Sequence, residues 1–495
     1  MERYKDIVML VTAVLPLIWL CYALISRLTK PYVACLISLS ITVIVSIYVW
    51  KLSPNILYWS ILDGILSSIY PIIWTIFSAL FTYRLLCEIK AIDGIRRSLS
   101  GISNDRLIQA VIVAFCFGSL LEGIAGFGTS VIVPSAILVS LGFPPYQSAV
   151  ISLISNTVPV VYAAVGVPVI ALANTTGLPL KALSGTIGLQ LFPVTLIIPL
   201  FIRKEIRTKI DAGFIVATGL VFALTQSLVG WYIGPELPAI LAPFLTIGFI
   251  IGYLKLKNNT IKGASRRDIL AWTPYALIVL FILITRFNSG LGRVLSSYPY
   301  SFILHIRPLN KMIRVDLLYT PGSIIMFSAI LGGILLKARL IDYKNALKGA
   351  FFQILPTFSI ITSMIVMADI MNYAGMTRFL AIKLIQVFGA FYPFVSPFLG
   401  AIGTFLGGSD TTSNILFGNL QTEAGKGIGV SPIWLASANA SGATGGKLVS
   451  LQNLTLAASG IDKKGEEGIL MRMIFPYFAI YLVIMGLIVY IGTLL

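Results

Sequence analysis

EGIAGFGTS (residues 122–130) and GTFLGGSDTTSN (residues 403–414) interrupt long apolar runs with glycine and small polar side chains. A glycine inside a helix costs about 1 kcal/mol against alanine, so Gly123, Gly126 and Gly128 do not serve helix stability. Ser409, Asp410, Thr411, Thr412, Ser413 and Asn414 are consecutive, and such a run facing lipid would be expensive. Both stretches therefore read as tips of re-entrant hairpins that line an enclosed or watery cavity. The alternatives are close helix packing through small residues for the first and an exposed surface loop for the second.

Everything around the breaks points to a membrane. Of 495 residues, 57% are hydrophobic and 11% charged, whereas soluble chains are about one quarter charged. Apolar runs of roughly 18–20 residues, enough to cross a bilayer, fall near 7–26, 32–50, 64–86, 186–202, 213–233, 238–255, 270–286, 321–338, 349–370 and 471–493. The first is expected to be a retained span rather than a signal peptide. The net charge of +17 gathers in short connections: Arg27 and Lys30, Arg96 to Arg106, Arg203 to Lys209, Lys255 to Arg267, Lys337 to Lys348. That distribution suits cytoplasmic loops beside anionic lipid, not nucleic acid. Cys21, Cys35, Cys87 and Cys116 have no paired spacing and read as packing residues. The expectation is an all-α, multi-pass protein of the cell membrane.

An internal repeat orders the spans. Pro31, Pro71 and Phe192-Pro193 correspond to Pro321, Pro356 and Phe475-Pro476; Pro71 to Pro193 is 122 positions and Pro356 to Pro476 is 120. The two breaks match, as do Gly142 with Gly429 and Pro145 with Pro432. Ser155-Asn156-Thr157 is matched with Ala438-Asn439-Ala440, the shorter spacing from the proline being about one helical turn. With basic loops inside, the halves have inverted topology, a layout common among secondary transporters. Residues 1–210 form repeat one, with hairpin 107–142 and broken helix 148–175. Residues 211–268 link it to repeat two, 269–495, with hairpin 392–428 and broken helix 431–458. About twelve crossings plus two hairpins account for the chain. Segments 92–103 and 376–388 should be amphipathic and lie on the membrane surface, and 287–320 is an external loop that carries basic residues against the rule.

The chemistry gathers at the breaks. A helix starting near Thr129 would turn the N–H groups of Gly126, Gly128 and Thr129 inward, as an anion site for a carboxylate. SNTVPV (155–160) sets a proline beside Ser155, Asn156 and Thr157, freeing carbonyls. SANASGATGGKLVSLQN (437–453) is expected to be unwound through Gly442, Gly445 and Gly446. Lys447 there needs a partner, either a substrate carboxylate or Asp410, unless it snorkels to the interface. Burial disfavours a charged carboxylate, so Glu122 or Asp410 is expected to couple substrate to protons. Asp369 and Arg84 each lie thirteen residues past Pro356 and Pro71 and form a candidate structural ion pair. No Walker loop, metal-ligand cluster or nucleophile–base set occurs, so no enzyme, metal or cofactor is expected.

EGIAGFGTS with LGFPP and SNTVPVVYAAVGVP, and GTFLGGSDTTSNILFGNLQ with SANASGATGGKLVSLQN, resemble the two long signatures of the L-lactate permease family; GPELP (234–238) and MNYAGM (371–376) are similar to further family segments. The resemblance covers most of the chain. It implies uptake of lactate and glycolate by proton symport, and an organisation similar to the ion-transporter superfamily, often with an elevator motion. The family's polar positions fall on Glu122, Thr129, Asn156, Ser409, Asp410, Thr411, Ser413, Asn414, Asn439, Thr444, Lys447 and Gln452. At Leu451 to Asn453 the chain departs from the commoner pattern, which has a proline after the serine. The expected carboxylate site comprises these residues with Gly126, Gly128, Ser155, Thr157 and Thr412. A Na⁺-coupled carboxylate transporter or Na⁺/H⁺ antiporter of the same superfamily is the alternative, and a carboxylate channel a further one. A homodimer is compatible with the sequence.

Overall fold

The computed structural model describes the whole chain except residues 1, 27–28, 125, 127, 207–211, 258–264, 288, 310 and 495. Arg27, the end of the basic stretch at Lys209 and most of that between Lys255 and Arg267 thus lie outside the described residues, as do Ala125 and Phe127 of the first tip. Among the described residues, twelve helices are long and apolar enough to cross a membrane. Two spans are longer than their apolar runs suggested: 64–86 lies within Pro54–Glu88 and 349–370 within Leu340–Tyr373. The expected surface segments are helical, as Ala91–Ser100 and Met376–Phe388, the second running on to Phe405 as one of the twelve.

Both hairpins form. The first rises through Arg106–Ile124 and descends as Thr129–Ser140; the second pairs Tyr392–Gly407 with Asp410–Ile428. Protein buries 94% of the apolar window of Arg106–Ile124, so this arm is enclosed by protein rather than bathed in lipid. Its backbone groups near the tip can therefore be left irregular without facing hydrocarbon. Gly128 and Gly408 turn the two tips with φ of 80° and 66°, a left-handed conformation that other residues adopt only with strain.

The repeat is visible in the backbone. Helix Pro145–Asn156 is followed by Pro159–Tyr162 and then by Ala163–Thr176; its counterpart runs as Pro432–Val449 and Leu451–Gly460. Pro145 and Pro432 open these elements, and Ala163 (ψ 151°) and Ser450 (ψ 135°) break them. The next helices start at Leu180 and Glu467. Each of these three pairs is 287 positions apart. The halves also interlock reciprocally, the descending arm of each hairpin packing on the second part of the other half's broken helix.

This register corrects two expectations. Asn156 is not the mate of Asn439; at the common separation it answers to Ala443. Nor is 437–449 unwound, since the helix continues to Val449 and breaks only at Ser450. Its glycines serve packing instead. A Cβ on Gly442 would lie 2.0 Å from the Pro397 carbonyl oxygen, one on Gly446 2.1 Å from that of Ala401, and one on Gly400 2.0 Å from that of Asn439. Helices Tyr392–Gly407 and Pro432–Val449 thus meet backbone to backbone, the arrangement that small residues permit.

The loop 287–320 also holds more structure than expected. Strands Ser301–Ile306 and Lys311–Asp316 pair antiparallel. Ile306, Ile313 and Val315 pack with Trp59, Leu66 and Tyr70, and the Tyr70 hydroxyl donates to the Asp316 carbonyl.

Gly446→Ala should therefore destabilise the protein by about 1–3 kcal/mol or more through overpacking. Gly468→Ala, with open space around its Cβ, should be neutral or slightly stabilising. Thermal unfolding of the detergent-purified proteins checks this; equal melting temperatures would contradict the packing role.

Candidate functional site

The hairpin tips meet at a cavity of about 130 Å³. One water needs roughly 10–15 Å³ by this measure, so the space suits a molecule of a few non-hydrogen atoms. A larger crevice, about 760 Å³, opens at the surface beside Trp231, Trp434 and Lys181. It offers no buried charged side chain, and we place the site in the smaller cavity, where the buried charges converge.

Glu122, at the end of the first ascending arm, and Lys447, near the end of Pro432–Val449, both line the cavity. Lys447 Nζ is 2.8 Å from Glu122 Oε1, and the Ser130 hydroxyl donates to Glu122 Oε2. Glu122 is fully buried. Taking two charges from water is repaid only by close geometry and further hydrogen bonds; here both carboxylate oxygens are engaged. The partner of Lys447 is thus Glu122, from the other half, rather than Asp410.

Asp410 opens the descending arm Asp410–Ile428 and also faces the cavity. Thr404 Oγ1 donates to its Oδ1 at 3.3 Å, while its Oδ2 is buried without a hydrogen-bond partner. Among the described residues no cation lies within salt-bridge reach of it, Lys447 being bonded to Glu122.

Of the residues expected to bind substrate, Gly126, Gly128, Ser409, Thr411, Thr412, Lys447 and Gln452 line the cavity. Gln452 lies against the second tip, its Oε1 2.1 Å from where a Cβ on Gly408 would be. Others are engaged with protein. Ser413 donates to the Gly400 carbonyl at 2.7 Å, and Asn414 to that of Pro168 at 3.0 Å. Asn439 donates to Asn414 Oδ1 at 3.0 Å. Thr444 bonds Ser441 and Tyr481, and Thr129 bonds the Gly126 carbonyl. Ser413, Asn414, Asn439 and Thr444 thus join helices around the site. Ser155, Asn156 and Thr157 are buried but do not line the cavity; Ser155 and Asn156 have side-chain atoms without partners. Arg84 and Asp369 are not brought together as an ion pair: Arg84 donates to Gln353 Oε1 at 3.0 and 2.8 Å.

The sequence reading missed the rest of the wall. Ile76, Thr357, Ile360 and Ile361 line the cavity from the two long spans. Ile76 and Ile361 each lie five residues past the repeated prolines, Pro71 and Pro356, so the repeat itself carried the signal. Ala163 and Ala164, at the first helix break, complete another side. Ala164 and Val165 take φ of 44° and 58° there, rare for a β-branched residue. Pro235 presses on this turn, its carbonyl oxygen 2.6 Å from where a Cβ on Gly166 would lie. GPELP thus braces the broken helix.

Comparison with known proteins gives this geometry a family. The L-lactate permease profile matches residues 9–495. The chain belongs to the L-lactate permease family. It is 33% identical over 440 residues to the L-lactate permease of Streptococcus iniae, covering 86% of this chain and 93% of the relative. It is 29% identical over 535 residues to the glycolate permease GlcA of Escherichia coli K12, covering 96% and 94%. Among solved structures, the Alcanivorax borkumensis YdaH transporter shares the fold, with TM-score 0.50, 12% identity and 87% of each chain covered. Family membership and the apolar helices together make this a multi-pass membrane protein.

Breaking the central pair tests its weight. Glu122→Gln should leave Lys447 buried and unpaired and lower stability by about 3–5 kcal/mol. Adding Lys447→Met should recover much of the loss. Thermal unfolding in detergent checks both, and a double variant no more stable than Glu122→Gln would contradict the pairing.

Proposed function

We propose that this permease moves small 2-hydroxy monocarboxylates, lactate and glycolate, each together with one proton. The substrate class rests on the relatives, which carry the names of lactate and glycolate permeases. The proton rests on one observation, the unpaired Asp410 carboxylate beside a Lys447 already paired with Glu122.

The charge count favours coupling. Glu122 and Lys447 cancel, so an ionised Asp410 leaves the site at net −1. A carboxylate substrate entering alone would make it −2 in a low-dielectric cavity, which is strongly unfavourable. Substrate with a proton on Asp410 returns the site to −1. Loading both together therefore leaves the buried charge unchanged, and Asp410 rather than Glu122 is the proton carrier.

In this reading the substrate carboxylate meets the Lys447 ammonium and the N–H groups at the start of Asp410–Ile428. Thr411, Thr412 and Gln452 supply hydroxyl and amide groups for the 2-hydroxyl, and the isoleucine wall limits the size of the substituent. The inverted halves, residues 1–210 and 269–495 joined by 211–268, provide the symmetry for exposing the cavity alternately to each side.

Uptake of labelled lactate into proteoliposomes tests the proposal. An imposed gradient, acid outside, should drive accumulation, and a Na⁺ gradient should not. Asp410→Asn should lose pH-driven accumulation by at least about tenfold, the effect of roughly 1.4 kcal/mol, and keep lactate–lactate exchange. Accumulation by Asp410→Asn that still follows the pH gradient at the wild-type rate would refute the assignment, and Na⁺-driven uptake would favour the Na⁺-coupled alternative.

A further inference from the structure

A separate cavity of about 200 Å³ lies where the end of Pro54–Glu88, the helix Ala91–Ser100, the short helix Arg266–Leu270 and the end of Pro321–Leu335 meet. Lys90, Arg97, Arg267 and Lys337 line it, and among the described residues no acidic side chain does. Asp268 takes up one of the four, since Arg97 donates to it at 3.0 and 2.7 Å. Among the described residues, Lys90, Arg267 and Lys337 form no ion pair. Glu88, two residues before Lys90, accepts from Asn345 at 3.5 Å instead. The walls are closely packed: Trp272 Nε1 donates to the Ser98 hydroxyl at 3.1 Å, and a Cβ on Gly94 would lie 3.1 Å from that of Ala271.

Two of these lysines hold their places against the preference of the backbone. Each stands two residues beyond the end of a helix, Lys90 after Glu88 and Lys337 after Leu335, with φ of 57° and 61°. Glycine is the usual residue at such a position, because it has no Cβ to oppose the left-handed turn. The repeat supplies a comparison. Pro71, Glu88 and Ala91 correspond to Pro356, Tyr373 and Met376, each 285 positions on, and Lys90 then answers to Gly375, with φ 82°. A Cβ on Gly375 would meet nothing within 4 Å. Glycine makes this turn in one half and lysine in the other, so the turn itself does not call for the longer side chain. What distinguishes Lys90 is the cavity it lines.

Three unpaired cations around one recess call for an anion. The cavity lies at helix ends on the side that the basic connections assign to the cytoplasm, where the leaflet carries anionic lipid. Part of its wall is apolar and open: Leu270 and Leu335 line it and are exposed, as a surface beside acyl chains would be. We propose that this cavity binds the headgroup of an anionic phospholipid, with Lys90, Arg267 and Lys337 holding the phosphodiester and Leu270 and Leu335 lying against the acyl chains. Free phosphate offers the same charge but makes no use of the leucines. Bound there, a lipid joins Lys90 of the first half to Lys337 of the second and to Arg267 of the link between them.

Native mass spectrometry of the full-length protein, released from detergent micelles that hold equal amounts of phosphatidylglycerol and phosphatidylcholine, tests this. The wild-type protein should retain phosphatidylglycerol and not phosphatidylcholine. Lys90→Gly combined with Lys337→Gly should lower the affinity for phosphatidylglycerol by roughly tenfold or more, and Arg267→Gln should weaken it in the same direction. Because glycine suits both turns, the double glycine variant should melt no lower than wild type in detergent free of anionic lipid, which separates loss of the ligand from loss of the fold. Lys344→Gln combined with Lys348→Gln removes the same charge from residues that do not line the cavity, and should leave retention unchanged. Inorganic phosphate at millimolar concentration should not displace the lipid. Wild-type retention by the double glycine variant would overturn the proposal, and so would its melting lower, since the lysines would then serve the fold. An equal loss in the Lys344 and Lys348 variant would make the attraction a general one, and displacement by inorganic phosphate would make this a site for the free anion; either result overturns the lipid assignment.

Discussion

A charge held inside a membrane protein must find its opposite within hydrogen-bond reach. The Lys447–Glu122 pair meets that demand between the two halves of the chain. Lys447 belongs to a helix of the second half and Glu122 to a hairpin arm of the first, so one ion pair joins them at the centre. With Ser130 completing the shell, Glu122 is fully occupied. This leaves Asp410 as the acidic group of the cavity with one carboxylate oxygen unpartnered. Had Lys447 paired with Asp410, Glu122 would have been the carboxylate left uncompensated.

The architecture was legible in the sequence wherever it depended on hydrophobic length or on the spacing of prolines. The hairpin tips and the helices Ala91–Ser100 and Met376–Phe388 were readable because each breaks an apolar run in a characteristic way. The glycines at 442, 445 and 446 were not. Glycine serves both an unwound segment and a close approach of two backbones, and only the neighbouring chain at Pro397 and Ala401 distinguishes these uses. The two long spans were cut short for a different reason: their first turns carry polar and charged residues that end an apolar run without ending a helix. The β-hairpin between 301 and 316 has too few residues to stand out beside helices.

The site was legible by residue type but not by role. Polar groups at membrane depth were correctly taken as buried, yet burial alone does not say whether a side chain faces a cavity or a backbone carbonyl. Ser413, Asn414 and Asn439 illustrate the point, since each satisfies a neighbouring helix or side chain. The apolar wall went unread for the opposite reason: its isoleucines are of the same type as the many that face lipid, and only the repeated prolines five residues before Ile76 and Ile361 mark their place. Asp369 was expected to pair with Arg84 from repeat alignment. The structure shows that equivalent positions in two halves need not touch.

That wall has a mechanical consequence. Isoleucine side chains hold their neighbours by dispersion alone, through many weak contacts that depend little on register. A surface of this kind behaves as a bearing: one body can shift along it by a few ångströms, exchanging one set of contacts for an equivalent set with no directional bond to break. Polar residues in the same place would act as detents that fix a single position. In the proposed reading, the charged and hydroxylated face of the cavity would hold the carboxylate, and the aliphatic face would leave it free to travel.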